Sequence, residues 1–230
     1  MDTPREQAPP ANMTHGPQPN METNTYYSRD RREMLQFLPA TFSDVIEIGC
    51  GQGEFGRLVK ESRQTRYSAI EADAAAASVA RSHLDWVLVG DAVDAVAALP
   101  DDRFDLLVCN DVIEHLAAPE KLMQSIRPKM KPHAALVCSL PNVRVLGNLI
   151  HLLVHKDFEY TDWGIRDRTH LRFFTKKSMV RFFEDNGLRI ERIAGINPIT
   201  SPKTSAPLAL LQLLGHGDTR FMQFGITARF

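Results

Sequence analysis

Short apolar runs alternate with helix-like segments through most of the chain, and this alternation limits the fold more than any other feature. We interpret five of the runs as buried strands: DVIEIG, YSAIEA, DWVLVG, FDLLVCN and HAALVCSL. Helices are predicted between them in GEFGRLVKES, AAAASVARSH and PEKLMQSIRPKM. Strands that alternate with helices pair in parallel through right-handed crossovers. We therefore predict a doubly wound, Rossmann-like α/β sheet.

The pattern changes after the fifth run. KSMVRFFEDNG predicts a helix that Gly187 ends, and LRIERIAGI predicts a further strand. PLALLQLLG and FMQFGITARF follow, and no helix stands behind the latter. A strand of that kind inserts antiparallel at the sheet edge or next to it. The prediction is a mostly parallel, seven-stranded sheet with an antiparallel C-terminal strand.

The composition limits the classes of partner that we expect the chain to bind. A net charge of -1 over 230 residues gives no electrostatic footprint for nucleic acid. No apolar run approaches the roughly 18–20 residues of a membrane span. Three cysteines lack CxxC spacing and no apolar secretory segment begins the sequence, so we expect a cytoplasmic protein. Residues 1–24 are rich in proline and predict a disordered tail, which leaves one domain over residues 25–230.

A glycine-rich turn follows the first predicted strand. VIEIGCGQGEFG contains GxGxxG, and Glu71 follows Gly51 by 20 residues, a spacing typical of dinucleotide sites. Glu47, however, lies in the strand just before the turn. A carboxylate there suits a ligand with an ammonium or sulfonium group better than a diphosphate. The alternative is that Glu47 caps an N–H group of the loop.

Polar residues also end the third and fourth strands. Asp91 ends the third strand, where a carboxylate can accept a hydrogen bond from the amine of adenine. Asn110 and Asp111 end the fourth strand, at the edge where open α/β sheets bind ligands. A single acid at such a position commonly caps a helix. Acids at the ends of three successive strands favour a ligand site.

Taken together, EIGCGQGEFG, AIEAD, GDA and NDVIEHL resemble the class I S-adenosylmethionine-dependent methyltransferases, over roughly residues 26–195. The resemblance implies that glycines of the turn hold the methionine portion, Glu71 the ribose and Asp91 the adenine. It also implies an N-terminal helix that brings Arg31 to the cofactor's carboxylate, unless Arg31 faces solvent. The implied cofactor-binding residues are Tyr27, Arg31, Glu47, Gly49, Cys50, Gly51, Gly53, Glu71, Ala72, Asp91, Ala92, Asn110 and Asp111.

Residues 142–174 form a long insert between the fifth strand and the next helix. VLGNLIHLLVH within it is apolar on nearly every face, which predicts either a helical lid or a contact between two copies of the chain. Aromatic side chains of the insert could stack on a sugar or an aromatic ring, and its arginines could bind an anion. They could equally pack the insert and face water. The candidate substrate-binding residues are Tyr160, Trp163, Arg166, Arg168, His170 and Arg172.

Three residues are candidates for catalysis: His170, His115 and Asp111. An imidazole is a suitable acceptor for a hydroxyl proton, although His170 could instead be structural. DRTHLRFFT resembles a methyltransferase branch of bacterial polysaccharide and secondary-metabolite pathways. The DxxEH spacing resembles ExxEH of ubiquinone-pathway O-methyltransferases, where a divalent metal can assist. The first acid differs here, and we assign no metal site.

The sequence therefore predicts an S-adenosylmethionine-dependent methyltransferase that acts at oxygen on a small or sugar-containing acceptor. N-methylation of a small molecule is the nearest alternative, because it would leave the cofactor site unchanged. The bare GxGxxG leaves open a nicotinamide-dependent oxidoreductase, and the fold alone leaves open a binding-only scaffold. No nucleic-acid partner is expected, and the insert is a possible homodimer contact.

Overall fold

The computed structural model describes residues 31–230, so the predicted tail over residues 1–24 and Tyr27 lie outside the described residues. Seven strands form one sheet in the order β3-β2-β1-β4-β5-β7-β6. Their bounds are β1 Asp44–Ile48, β2 Arg66–Glu71, β3 Trp86–Val89, β4 Phe104–Asn110, β5 Met130–Pro141, β6 Arg189–Pro198 and β7 Phe221–Arg229. β7 runs antiparallel to both of its neighbours. The predicted fold class is confirmed, with β7 next to the edge of the sheet.

Helices connect the strands as α1 Glu54–Ser62, α2 Ala74–Ala80, α3 Ala92–Val96, α4 Pro119–Ile126, α5 Leu146–Ile150, α6 Lys176–Asp185 and α7 Ser205–Leu213. The short helix α3 escapes sequence analysis because five residues are too few to show a helical period. The segment before Pro39 forms a 3-10 helix, Arg32–Phe37. Thr175 caps α6 through a reciprocal capping box with Ser178.

Two apolar layers cover the faces of the sheet. Successive residues of β1 alternate between them, because strand side chains point to opposite faces: Val45 packs in one layer and Ile46 in the other. Buried polar residues concentrate where strands end, among them Glu47, Glu71 and Asn110. The carboxyl edge of the sheet is thus the polar opening of an otherwise apolar core.

The insert departs from a plain lid helix. Its apolar stretch forms α5 and continues as a π-helix, His151–His155. Leu153 and Val154 in this turn are 76% and 68% exposed, so residues 31–230 leave them largely uncovered. Within residues 31–230, no helix is both long and apolar enough to cross a membrane.

The 3-10 helix Arg32–Phe37 packs on β7 at Gly225. A Cβ atom added to Gly225 would lie 2.4 Å from ring atoms of the buried Phe37. We expect Gly225→Ala to lower the free energy of unfolding by about 1–3 kcal/mol in urea denaturation, because a closely packed core resists added volume. Gly147→Ala is the control, since its Cβ would meet nothing within 4 Å. Equal stability of Gly225→Ala and the wild type would contradict this packing.

Candidate active site

A cavity of about 650 Å³ opens at the carboxyl ends of the strands, within the size range of small-molecule sites. It joins the glycine turn after β1 to the ends of β2 and β4 and to part of the insert. The predicted site residues that line it are Arg31, Glu47, Gly49, Cys50, Gly51, Glu71, Ala72, Asp91, Ala92, Asn110, Asp111, His115 and Arg168. Most residues of the cavity wall were therefore predicted from the sequence.

The turn after β1 requires glycine for two reasons. Gly49 has a φ of +71°, and a Cβ there would lie 2.6 Å from Val112 Cγ2. The Gly51 N–H donates to Glu71 Oε2 at 2.7 Å, and the Asp73 N–H donates to Glu71 Oε1 at 2.9 Å. Glu71 thereby ties the end of β2 to the turn. Gly53 is the N-cap of α1, outside the cavity wall.

Glu47 is the most deeply buried acid of the cavity wall. Its side chain accepts a hydrogen bond from Tyr67 Oη at 3.0 Å, so its observed partner is a tyrosine hydroxyl and not a loop N–H group. Burial is the main cause that raises its pKa to about 8; the charge of Glu71 adds to the rise and the Tyr67 hydrogen bond opposes it. At pH 7 Glu47 is therefore mostly neutral, and a cationic ligand would favour its ionised form.

Asp91 and Asn110 also line the cavity, but of their two side chains only that of Asp91 has hydrogen-bond partners within residues 31–230. The Asp91 carboxylate caps α3, where it accepts hydrogen bonds from the N–H groups of Val93 and Asp94 at 2.8 and 3.3 Å. Both side-chain polar atoms of Asn110 are buried and have no hydrogen-bond partner among residues 31–230. Buried amides in folded proteins are nearly always hydrogen-bonded, so Asn110 indicates a group that a ligand supplies.

Asp111 is already occupied by protein donors. Its carboxylate accepts from Ser139 Oγ at 2.6 Å, from Gln223 Nε2 at 2.9 and 2.8 Å, and from the Arg31 guanidinium. These bonds use the carboxylate that a catalytic base would need. Asp111 therefore lies in the cavity wall as a carboxylate that binds Arg31.

His115 faces the cavity and its ring is oriented by the insert. Its Nδ1 lies 3.0 Å from Thr169 Oγ1 and 3.3 Å from the Thr169 carbonyl oxygen. Thr169 Oγ1 donates in turn to Asp167 Oδ1 at 2.7 Å, which leaves its oxygen to accept from His115 Nδ1–H. With the proton on Nδ1, Nε2 keeps a free lone pair. Burial, aided by His170, lowers the pKa of His115, which favours this neutral form at pH 7.

His170 stands beside His115 and is not part of the cavity wall. The two ring centroids are 4.7 Å apart, and His170 Nδ1 lies 3.3 Å from the Ile165 carbonyl oxygen. Glu114 is fully buried nearby, and its two carboxyl oxygens have no partner within residues 31–230. One ligand atom from each of Glu114, His115 and His170 lies within 4.8 Å of the others. These three side chains form one cluster, which we call the Glu–His–His cluster.

The other predicted substrate residues lie around the cavity mouth or behind it. Arg168 lines the cavity and pairs with Asp162 at 2.7 Å. The Arg166 guanidinium nitrogens lie 3.1 and 3.3 Å from the His151 ring nitrogens, and Arg172 donates to the Ala117 carbonyl. Tyr160 and Trp163 are largely exposed outside the cavity. Substrate roles for these residues stay predictions.

Several residues that orient the side chains of the site were not predicted from the sequence. Asp167 and Thr169 orient His115, although Asp-x-Thr is a recognisable turn pattern in which the acid accepts from the N–H two residues on. Tyr67 and Gln223 gave no such signal, because their contacts with Glu47 and Asp111 join residues distant in sequence.

Charge in the cavity wall favours a cationic ligand. Acidic side chains line it at six positions and guanidinium groups at two, so the acids outnumber the guanidinium groups even with Glu47 neutral. The acids are Glu47, Glu71, Asp91, Asp111, Asp162 and Asp167. An excess of carboxylates in a partly enclosed cavity attracts positive charge.

Known proteins share both the sequence pattern and the fold. Residues 21–193 match a family described as a methyltransferase domain. The ubiquinone biosynthesis O-methyltransferase of Thiobacillus denitrificans is 28% identical over 173 residues, covering 70% of this chain and 72% of that protein. The Azoarcus enzyme of the same name is 26% identical, covering 68% and 69%.

Solved structures agree on the fold. A SAM-dependent methyltransferase from Archaeoglobus fulgidus aligns with a TM-score of 0.62 at 21% identity, covering 90% of this chain and 94% of that one. The [4+2]-cyclase SpnF aligns at 0.60 and 16%, covering 87% and 80%. At these identities the likeness concerns fold alone, and a cyclase among the neighbours shows that fold does not set the reaction.

The family match covers most of the chain, so the chain belongs to the methyltransferase-domain family. The family match confirms the predicted enzyme class, a methyltransferase.

Proposed function

We propose that this chain transfers a methyl group from S-adenosylmethionine to a hydroxyl oxygen of a small molecule, with His115 as the general base. The observation that carries this proposal is the His115 imidazole, which faces the cofactor cavity with its Nδ1 directed at Thr169. The names of its relatives, ubiquinone biosynthesis O-methyltransferases, support oxygen as the accepting atom.

The cavity wall fits the cofactor, which supplies an activated methyl group on a sulfonium when bound. Glu71 would hold the ribose, Asp91 and Ala92 the adenine, and the glycine turn the methionine portion. The unpartnered Asn110 amide and the buried Glu47 carboxyl suit the polar, cationic end of such a ligand. Arg31 supplies a guanidinium for the carboxylate at that end.

His115 Nε2 would accept the hydroxyl proton as oxygen attacks the methyl carbon. Thr169 and Asp167 would keep the ring oriented and stabilise the imidazolium that forms, because Asp167 Oδ1 accepts a hydrogen bond from Thr169 Oγ1 at 2.7 Å. Aligning the acceptor with the methyl group contributes further, and residues of the insert form part of the cavity wall. His170 would support the His115 ring from behind.

Several finer assignments belong to the same proposal. The DRTHLRFFT segment supports a sugar-containing acceptor by its resemblance to polysaccharide-pathway enzymes. The exposed Leu153 and Val154 support a homodimer through residues 142–174. Three free thiols support a cytoplasmic location.

A second candidate mechanism adds a divalent cation at the Glu–His–His cluster. Two imidazoles and a carboxylate are a donor set that divalent transition metals accept, and the unpartnered Glu114 oxygens fit this use. Such a cation would supply a Lewis acid that makes an acceptor hydroxyl easier to ionise. Turnover that disappears in chelator and returns with added Mg²⁺, Mn²⁺ or Zn²⁺ would favour it over unaided base catalysis.

The proposed function is tested first by calorimetric titration with S-adenosylhomocysteine and, separately, with NADH. We expect binding of the first and none of the second. Transfer of a labelled methyl group to a panel of phenols, catechols and sugars then tests the acceptor. Transfer to amines and not to hydroxyls would replace O-methylation by N-methylation.

Glu71 should contribute strongly to cofactor affinity. We expect Glu71→Ala to weaken S-adenosylhomocysteine binding by about tenfold to a hundredfold, because it removes a charged acceptor from two loop N–H groups and from the ribose. Calorimetry measures the change. Glu61→Ala, which removes an exposed acid paired with Arg57, is the control and should bind like the wild type. Unchanged affinity of Glu71→Ala would remove Glu71 from the ribose site.

A further inference from the structure

Asp111 gathers three strand ends and the N-terminal segment at one wall of the cavity. It follows β4 directly, and its carboxylate accepts from Ser139 on β5, Gln223 on β7 and Arg31. Asp111 has a φ of +54°, which is uncommon for a residue with a side chain. The surrounding contacts over-determine this conformation, and they fix where the carboxylate points.

Gln223 contributes two oriented hydrogen bonds to this arrangement. Its amide nitrogen donates to both Asp111 oxygens, at 2.9 and 2.8 Å. Its amide oxygen accepts from Asn197 Nδ2 at 2.7 Å and lies 3.4 Å from an Arg31 guanidinium nitrogen. Asn197 therefore determines that the nitrogen end of the amide faces Asp111.

Arg31 donates a hydrogen bond to Oδ2 of the same carboxylate. Its side chain is only 14% exposed, and the residue lines the cavity. A guanidinium carries five N–H donors in a fixed plane, so a bond to Asp111 leaves donors for an anionic group of a ligand. Without the Gln223 amide, Asp111 keeps Ser139 and Arg31 as donors but loses two hydrogen bonds that orient its carboxylate, and Arg31 loses a neighbouring acceptor at 3.4 Å.

We propose that Gln223 is a positioning residue for the cofactor: through Asp111 it holds Arg31 where the guanidinium meets the amino-acid carboxylate of S-adenosylmethionine. This inference rests on the proposed function, because it takes the cavity to hold that cofactor. Gln223 acts through its neighbours and is not itself part of the cavity wall.

The test compares two ligands that differ in the amino-acid group. S-adenosylhomocysteine carries that carboxylate, and 5′-methylthioadenosine keeps the nucleoside and the sulfur without it. We expect Gln223→Met to weaken the first about tenfold, the size of one charge-assisted hydrogen bond, and to leave the second within about twofold. Gln36→Met is the matched control, since it removes a Gln–Arg hydrogen bond of 2.9 Å at Arg192, away from the cavity wall.

A double-mutant cycle shows whether Gln223 acts through Arg31. Arg31→Met should produce the same ligand-selective loss, and adding Gln223→Met to it should weaken binding by less than about twofold more. If Gln223→Met does not fold in thermal melts, Gln223→Glu keeps the side-chain length and should show the same selective loss, because its carboxylate repels Asp111 and competes for Arg31.

Three results would overturn the inference: equal losses for both ligands, no loss for either, or fully additive losses in the cycle. A wild-type protein that binds no S-adenosylhomocysteine would instead overturn the proposed function, so the two failures are distinguishable.

Discussion

Replacing His115 by Ala is expected to lower the turnover number by about 10²–10⁴-fold while leaving S-adenosylhomocysteine affinity within a few fold. A positioned general base contributes an acceleration of about this size. The imidazole faces the cavity, and the predicted cofactor contacts come from other residues. Steady-state turnover with an identified acceptor and calorimetry with the cofactor product measure the two quantities separately.

Three further variants distinguish the role of His115 from the roles of residues around it. His155→Ala changes an exposed histidine at the end of the π-helix and should leave turnover unchanged. Thr169→Val removes the hydroxyl that contacts Nδ1, and it should lower turnover less than His115→Ala does. His170→Ala should also lower turnover more than cofactor affinity. Full turnover of His115→Ala would remove it as the base.

Replacing Glu47 by Gln is expected to remove a large pH dependence of stability. An unfolded glutamate ionises near pH 4.5, whereas Glu47 in the folded protein has a pKa of about 8. Between these values the folded state binds more protons than the unfolded state, so the free energy of unfolding falls as pH rises. Each pKa unit corresponds to about 1.4 kcal/mol, so the effect amounts to several kcal/mol.

The measurement is urea denaturation of the wild type and Glu47→Gln at pH 5, 7 and 9. The wild type should lose stability relative to the variant from pH 5 to 8 and change little above that range. Glutamine keeps an oxygen for the Tyr67 hydroxyl, so the variant removes the ionisation and preserves the hydrogen bond. A stability difference that does not change with pH would contradict the raised pKa.

The binding of the cofactor should also depend on the ionisation of Glu47. S-adenosylmethionine carries positive charge, so its binding should favour ionised Glu47 and release a proton at pH 7. Calorimetric enthalpies in buffers of different ionisation enthalpy would then differ for the wild type and agree for Glu47→Gln.

The sheet and the cavity wall around the glycine turn could be predicted because their signals are local. Buried parallel strands are continuous apolar runs, and the glycine turn with Glu71 and Asp91 follows strand ends in a fixed order. The helix α3 could not be predicted because it is too short to show a helical period. Its N-cap, Asp91, was predicted as a residue that binds adenine and not as a helix cap.

The cavity wall that the insert forms could be predicted only in part. His115 and Arg168 do face the cavity, but Arg166 and Arg172 turn to His151 and Ala117. The direction of a side chain in an irregular insert depends on tertiary contacts, and no period in the sequence encodes it. Asp111 shows the same limit, because Ser139 and Gln223 are far from it in sequence.

The place of β7 between β5 and β6 determines when the site can be completed during synthesis. The ribosome produces β6 before β7, and β6 pairs with β7 and not with β5. Among residues 31–230, β7 is the strand that β6 joins, so until β7 emerges the edge of β5 stays open to other nascent chains. Gln223 arrives with β7, so the carboxylate that holds Arg31 gains this partner late. A nascent chain stalled before residue 221 should therefore contain the residues that line the cavity, yet expose the unpaired edge of β5 to chaperones.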